Sequence, residues 1–180
     1  MTAAPSPSPC FADRLVRDTE RGEWRDGEAR YLLLRQDSLM GMFRRLAPQT
    51  RGEALAALAA AVTEAGGRSA ARYRETTPGG SAALLEVFAE TAAQLGWGVW
   101  TFAQPADGEL RLDVVNSPFA QGFGPSPQPV CAAITGMAGA IAATILGQPA
   151  VAEETRCVAA GAESCRFVAR GRHLKQERSR

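Results

Sequence analysis

Gly98-Val99-Trp100-Thr101-Phe102 and Leu110-Arg111-Leu112-Asp113-Val114-Val115 flank the tetrapeptide Pro105-Ala106-Asp107-Gly108. Both arms alternate with a period of two, and Asp-Gly between them is turn chemistry, so the stretch predicts a β-hairpin. Upstream the apolar period is helical. Asp37 or Ser38 caps a helix carrying Leu39, Met40, Met42, Phe43 and Leu46, closed by Pro48. Thr50 caps a long helix through about Arg74, with Leu55, Leu58, Ala59, Val62 and Ala65 near helical spacing. Gly66-Gly67 interrupts it, predicting either two helices or one kinked helix. Ser81 to Leu95 is a further helix, with Leu84, Leu85, Phe88 and Ala92 on one face and Gly96 as its stop.

Downstream, residues 116–129 form a loop rich in Pro and Gly, a connector or a gate. Val130 to Leu146 then reads as a helix without a single charge, which predicts burial on most faces. Ala150 to Arg156 and Cys165 to Ala169 read as two strands around a turn at Ala160-Gly161-Ala162-Glu163. Helices, hairpin, helix, hairpin make an α+β domain: an antiparallel sheet of about four strands packed against several helices.

At the ends, residues 1–25 read as a disordered leader, Ala/Pro/Ser-rich at first, then charged and broken by Gly22. Residues 26–170 form the domain, in which Tyr31-Leu32-Leu33-Leu34 is a strand or a packing segment. Residues 171–180 form a basic tail holding the only histidine, His173, read as solvated. The 180 residues are 46% apolar and 22% charged, enough to fill one core, and the formal charge of +1 gives no reason to expect nucleic acid or an anionic membrane. No apolar run reaches the length of a membrane span, and no signal peptide is evident, so a cytoplasmic location is expected.

Disulfides rarely persist in that compartment, so four cysteines need another explanation. Cys10 sits alone in the leader. Cys131 lies at the start of the uncharged helix, where unpaired N–H groups favour a thiolate, while Cys157 and Cys165 lie on opposite arms of the second hairpin near its turn. Glu154 stands on the same arm as Cys157 and converges with it if the chain bulges there. Three thiolates and a carboxylate make a tetrahedral donor set for zinc. Arg156 and Arg166, each beside a cysteine, are placed to offset the surplus negative charge. Two alternatives stand at this level: the cysteines simply fill core space, and Glu153 competes with Glu154.

Pro129-Val130-Cys131, Thr135-Gly136-Met137-Ala138-Gly139, Glu154-Thr155-Arg156-Cys157-Val158-Ala159-Ala160-Gly161 and Cys165-Arg166-Phe167 together resemble the 4-vinyl reductase domain family. That family is related to the effector-sensing domain of phenol- and xylene-responsive activators and to TRAPP-type tethering subunits. The resemblance spans residues 31–169 and is specific from Pro129 onward. It implies zinc held by Cys131, Glu154, Cys157 and Cys165, with Glu154 chosen over Glu153 by the intervals between these positions.

It also implies a pocket for a hydrophobic small molecule between helices and sheet, and a homodimer. Tyr73, Trp97, Trp100, Phe102, Phe119, Phe123 and Met137 are the candidate lining, since pockets favour aromatic walls with a few polar anchors. The ligand is then an aromatic compound or a tetrapyrrole, held for sensing or carriage, with output to a downstream regulatory or biosynthetic protein. An accessory or reductase-type role in bacteriochlorophyll synthesis, and a structural dimer used for assembly, are the alternatives. The sequence offers no Ser/His/Asp set and no glycine fingerprint for a nicotinamide or flavin, so nothing in it supplies the hydride transfer that the family's name suggests.

Overall fold

The chain folds, in a computed structural model describing residues 10–103 and 105–172, into two antiparallel sheets and six helices. The larger sheet contains β4 (Val99–Phe102), β5 (Glu109–Val115), β6 (Ala150–Arg156) and β7 (Cys165–Gly171), in the order β4-β5-β7-β6. The two hairpins read from the sequence are thus joined side by side through β5 and β7. Register aligns Trp100 with Val114 and Val114 with Cys165, and in the next row Phe102 with Leu112, Leu112 with Phe167 and Phe167 with Glu154. Successive residues on a strand face opposite ways, so these rows build one apolar face while Arg111, Asp113 and Arg166 face out.

That inner face is covered by α6 (Ala132–Leu146), which packs on β6 and β7 on one side and on α3 (Pro48–Thr76) on the other. Its lack of charge is explained: it is sandwiched, with Ile134 and Ile141 fully buried. Each such aliphatic side chain contributes about 1.5–3 kcal/mol by leaving water. Small residues set the spacing. A methyl added at Gly136 would collide with the Ala59 carbonyl oxygen, so α3 and α6 touch backbone to backbone. Gly147, in the left-handed region at φ 66°, ends α6.

Gly66-Gly67 does not break α3, which runs 29 residues unbroken. Gly66 instead makes room for the Met137 thioether, so packing rather than flexibility explains it. Pro48 opens α3 at its first turn, after Ala47, in place of the expected Thr50 cap. α2 (Gln36–Arg45) follows Arg35 rather than Asp37 or Ser38. α4 (Gly80–Gln94) matches expectation within a residue, burying Leu84, Leu85, Phe88 and Ala92. Within the expected loop, Pro118–Phe123 form α5, capped by the Ser117 hydroxyl, which accepts from the Ala120 N–H.

The leader needs correcting. Residues 10–31 form α1 (Phe11–Arg14) and a meander of β1 (Val16–Asp18), β2 (Glu23–Asp26) and β3 (Ala29–Tyr31). Composition misled because one buried aromatic, Phe11, and one buried ion pair dock the segment. Phe11 meets Tyr31 edge to face at 5.2 Å, and Asp26, 4% exposed, takes hydrogen bonds from Arg14 and from Arg72 of α3. Leu32-Leu33-Leu34 is neither strand nor core. These residues are 81%, 74% and 55% exposed. At the other end β7 extends through Gly171, where the tail was expected to begin; residues 1–9, Gln104 and 173–180, with His173, lie outside the described residues.

Candidate metal centre and cavity

Three elements bring the four predicted donors to one point. Cys131 is the N-cap of α6. Glu154 lies on the inward face of β6, whereas its neighbour Glu153 is exposed, which decides between the two. The register of β6 against β7 slips between Glu154 and Arg156, the bulge that turns the strand so that Cys157 follows inward. Cys165 opens β7. The chain between the two hairpin cysteines forms a turn of 3-10 helix over Val158–Ala160.

All four donor atoms lie within 4.8 Å of one another and all four residues are buried. Cys131 Sγ stands 3.9 Å from Cys157 Sγ and 3.8 Å from Cys165 Sγ, far beyond a disulfide bond of about 2.05 Å. Glu154 Oε2 accepts the Cys131 N–H at 2.8 Å, while Oε1 is buried with no hydrogen-bond partner. A carboxylate oxygen turned into a dry cluster of sulfurs costs several kcal/mol unless something positive meets it. The set therefore fits a metal ion: a buried Cys3Glu cluster that could bind one.

Electrostatics point the same way. The Cys157 and Cys165 sulfurs, and then burial, push the Cys131 thiol upward. Burial, and then the neighbouring Cys157, push the Glu154 carboxyl up to about 8. Four donors this close cannot all ionise without a cation among them. Neighbouring backbone assists: the Val158 N–H donates to Cys165 Sγ at 3.3 Å, and Ser117 Oγ lies 3.3 Å from Cys131 Sγ. Ser117 is a site neighbour the sequence reading missed, its signal being only a Ser-Pro step before a short helix. Arg166 does not serve the site. It pairs with Asp113 at 2.6 Å on the outer face, and Arg156 is exposed.

The seven expected ligand residues do not form one pocket. Phe119, Trp97, Trp100 and Phe102 contact one another in succession, ring to ring, at 5.1, 6.5 and 6.0 Å. Phe123 lies under the Arg51 guanidinium, 5.5 Å from its ring centre, and Met137 covers Gly66. Tyr73 is elsewhere, edge to face with Phe88, and alone of the seven lines a cavity of about 220 Å³ between the N-terminal segment and the helices α3 and α4. Phe11 and Val87 share that wall with Tyr73, while Arg14, Asp26, Arg72 and Thr77 supply polar groups.

Fold and metal-type site define a class, a 4-vinyl-reductase-like domain, and residues 110–171 match the model of the 4-vinyl reductase domain family. The chain is similar to the phenol-responsive sensory domain of the transcription activator PoxR, solved with phenol, at TM-score 0.77 and 21% identity, over 89% of this chain and 86% of that one. A vinyl-4-reductase family protein from Methanocaldococcus jannaschii superposes at TM-score 0.53 and 12% identity, over 79% and 98%. A trafficking protein particle complex subunit 3 from Naegleria fowleri, covalently bound to palmitic acid, gives 0.49 and 14%, over 77% and 95%. No curated protein matches the sequence. The α+β fold and the family resemblance read from the sequence are borne out. Among the described residues no helix is long and apolar enough to cross a membrane.

Proposed function

We propose that this chain is a zinc-stabilised binding domain that holds a small hydrophobic molecule and reports its presence to another protein. The observation that carries the zinc is the spacing of the sulfurs. Tetrahedral bonds of about 2.3 Å put two zinc-bound thiolates about 3.8 Å apart, and the two separations here are 3.8 and 3.9 Å. Four protein donors leave no open position for water, so the ion is structural and fastens α6 to the β6–β7 hairpin. A two-stranded hairpin alone is marginal, and metal affinity becomes folding free energy.

Ligand binding is supported by the backbone likeness to a phenol-responsive sensory domain and by the cavity beside Tyr73. An apolar cavity of about 150 Å³ is enough for benzene, so about 220 Å³ suits a single substituted ring better than a tetrapyrrole. This favours aromatic sensing over a role in bacteriochlorophyll synthesis. Native mass spectrometry of freshly purified protein tests both halves. One zinc per chain, with added phenol retained as a one-to-one adduct, is expected; a protein that stays folded and metal-free in zinc-containing buffer overturns the reading.

A homodimer is the accompanying proposal, supported by the exposed Leu32-Leu33-Leu34 run, since apolar patches rimmed by charge mark association surfaces. A cytoplasmic location is consistent with four free cysteines.

A further inference from the structure

We propose that the cavity between the N-terminal meander and the α3–α4 helices selects a small aromatic carboxylate, with Arg72 and Thr77 as the anchors for its acid group. The inference rests on the cavity being the ligand site. Its apolar wall comes from Phe11, Tyr73 and Val87, and its volume of about 220 Å³ admits one ring with a short substituent. The polar end is unusual for a site that takes only neutral hydrocarbons. Two guanidiniums, those of Arg14 and Arg72, share the single buried carboxylate of Asp26. Arg14 is committed there, bonding Asp26 and also the Tyr73 hydroxyl at 2.8 Å. Arg72 gives Asp26 one bond of 2.9 Å from a fork that carries five N–H groups. The remaining acid of the lining, Glu90, is exposed and accepts from Gln94, so it does not balance the inner end.

The second observation is Thr77. Its hydroxyl oxygen is buried, lines this cavity and has no hydrogen-bond partner. A buried hydroxyl left unpaired is costly, and an acceptor entering the cavity would relieve it. Surplus positive charge beside an unpaired donor is the chemistry that recognises a carboxylate. A phenol hydroxyl would satisfy Thr77 but gain little from the charge, and toluene would satisfy neither.

Titration calorimetry of the full chain with benzoate, phenol and toluene tests this at neutral pH. Benzoate is expected to bind at least about tenfold more tightly than phenol, as charged hydrogen bonds allow. R72Q, at a half-exposed position that tolerates change, is expected to weaken benzoate about tenfold while leaving phenol within about twofold. T77V, which keeps the side-chain shape, is expected to weaken benzoate several-fold. Phenol matching or exceeding benzoate, or R72Q weakening both alike, overturns the carboxylate assignment while leaving ligand binding intact. Failure of all three compounds to bind overturns the cavity as ligand site as well.

Discussion

At the scale of single residues, Glu154 is the group whose chemistry depends most on what surrounds it. In the metal-free protein its carboxyl is raised from 4.5 to about 8, chiefly by burial. The folded state then holds this proton more tightly than the unfolded chain does. The stability this contributes is full below pH about 4.5 and is lost as pH rises through about 8. Metal reverses the sign, because the ligands must then be deprotonated. The melting temperature of metal-free protein is therefore expected to fall across that window, and E154Q to flatten the fall, as scanning calorimetry at several pH values would show. The same substitution is expected to lower metal affinity by more than about tenfold, measured by competition with a chromogenic chelator. Asp26 is the other decisive residue. D26N leaves two guanidiniums facing a neutral amide in a partly buried site, and a loss of about 3 kcal/mol is expected in urea unfolding.

Among elements, the α3–α6 contact is the one most sensitive to a single methyl. At Gly136 a Cβ would run into the Ala59 backbone oxygen, so neither a rotamer change nor a side-chain shift can relieve it. G136A is expected to cost about 1–3 kcal/mol by forcing the helices apart. Gly67, in the middle of α3, has nothing within 4 Å of the place a methyl would occupy. G67A is expected to stabilise by about 0.5–1 kcal/mol, since alanine restores helix propensity. Opposite signs for two glycine-to-alanine changes in packed helices, read from urea midpoints, would check that packing and not flexibility accounts for Gly136.

For the whole molecule, the ion links the last helix to the terminal hairpin, so its removal should be felt unevenly. Exhaustive chelation, or C157S, is expected to lower the melting temperature by several degrees or more. Hydrogen exchange should show protection lost first in α6, β6 and β7, while α4 remains protected longer. A uniform loss would mean that the centre is not a local fastening. Association is the second question at this scale. If Leu32-Leu33-Leu34 forms the contact between copies, L33E should give monomers by sedimentation without lowering the melting temperature of the fold itself.

Much of this was legible without coordinates because local chemistry settles local structure. Period-two alternation around Asp107-Gly108 defined the first hairpin, the uncharged run from Val130 foretold a sandwiched helix, and the cysteines with Glu154 named the donor set. What the sequence left undecided is what depends on partners distant along the chain. Whether residues 10–31 are leader or meander turns on Asp26 finding Arg72, and whether Gly66 bends or packs turns on Met137 arriving opposite it. The aromatic residues are close in sequence yet diverge in space, because alternate strand positions and successive helix turns point apart, so the cavity formed where none of the grouped aromatics but Tyr73 was looked for. Composition and periodicity fix which faces are apolar; only the folded chain decides which apolar face meets which, and where a gap is left between them.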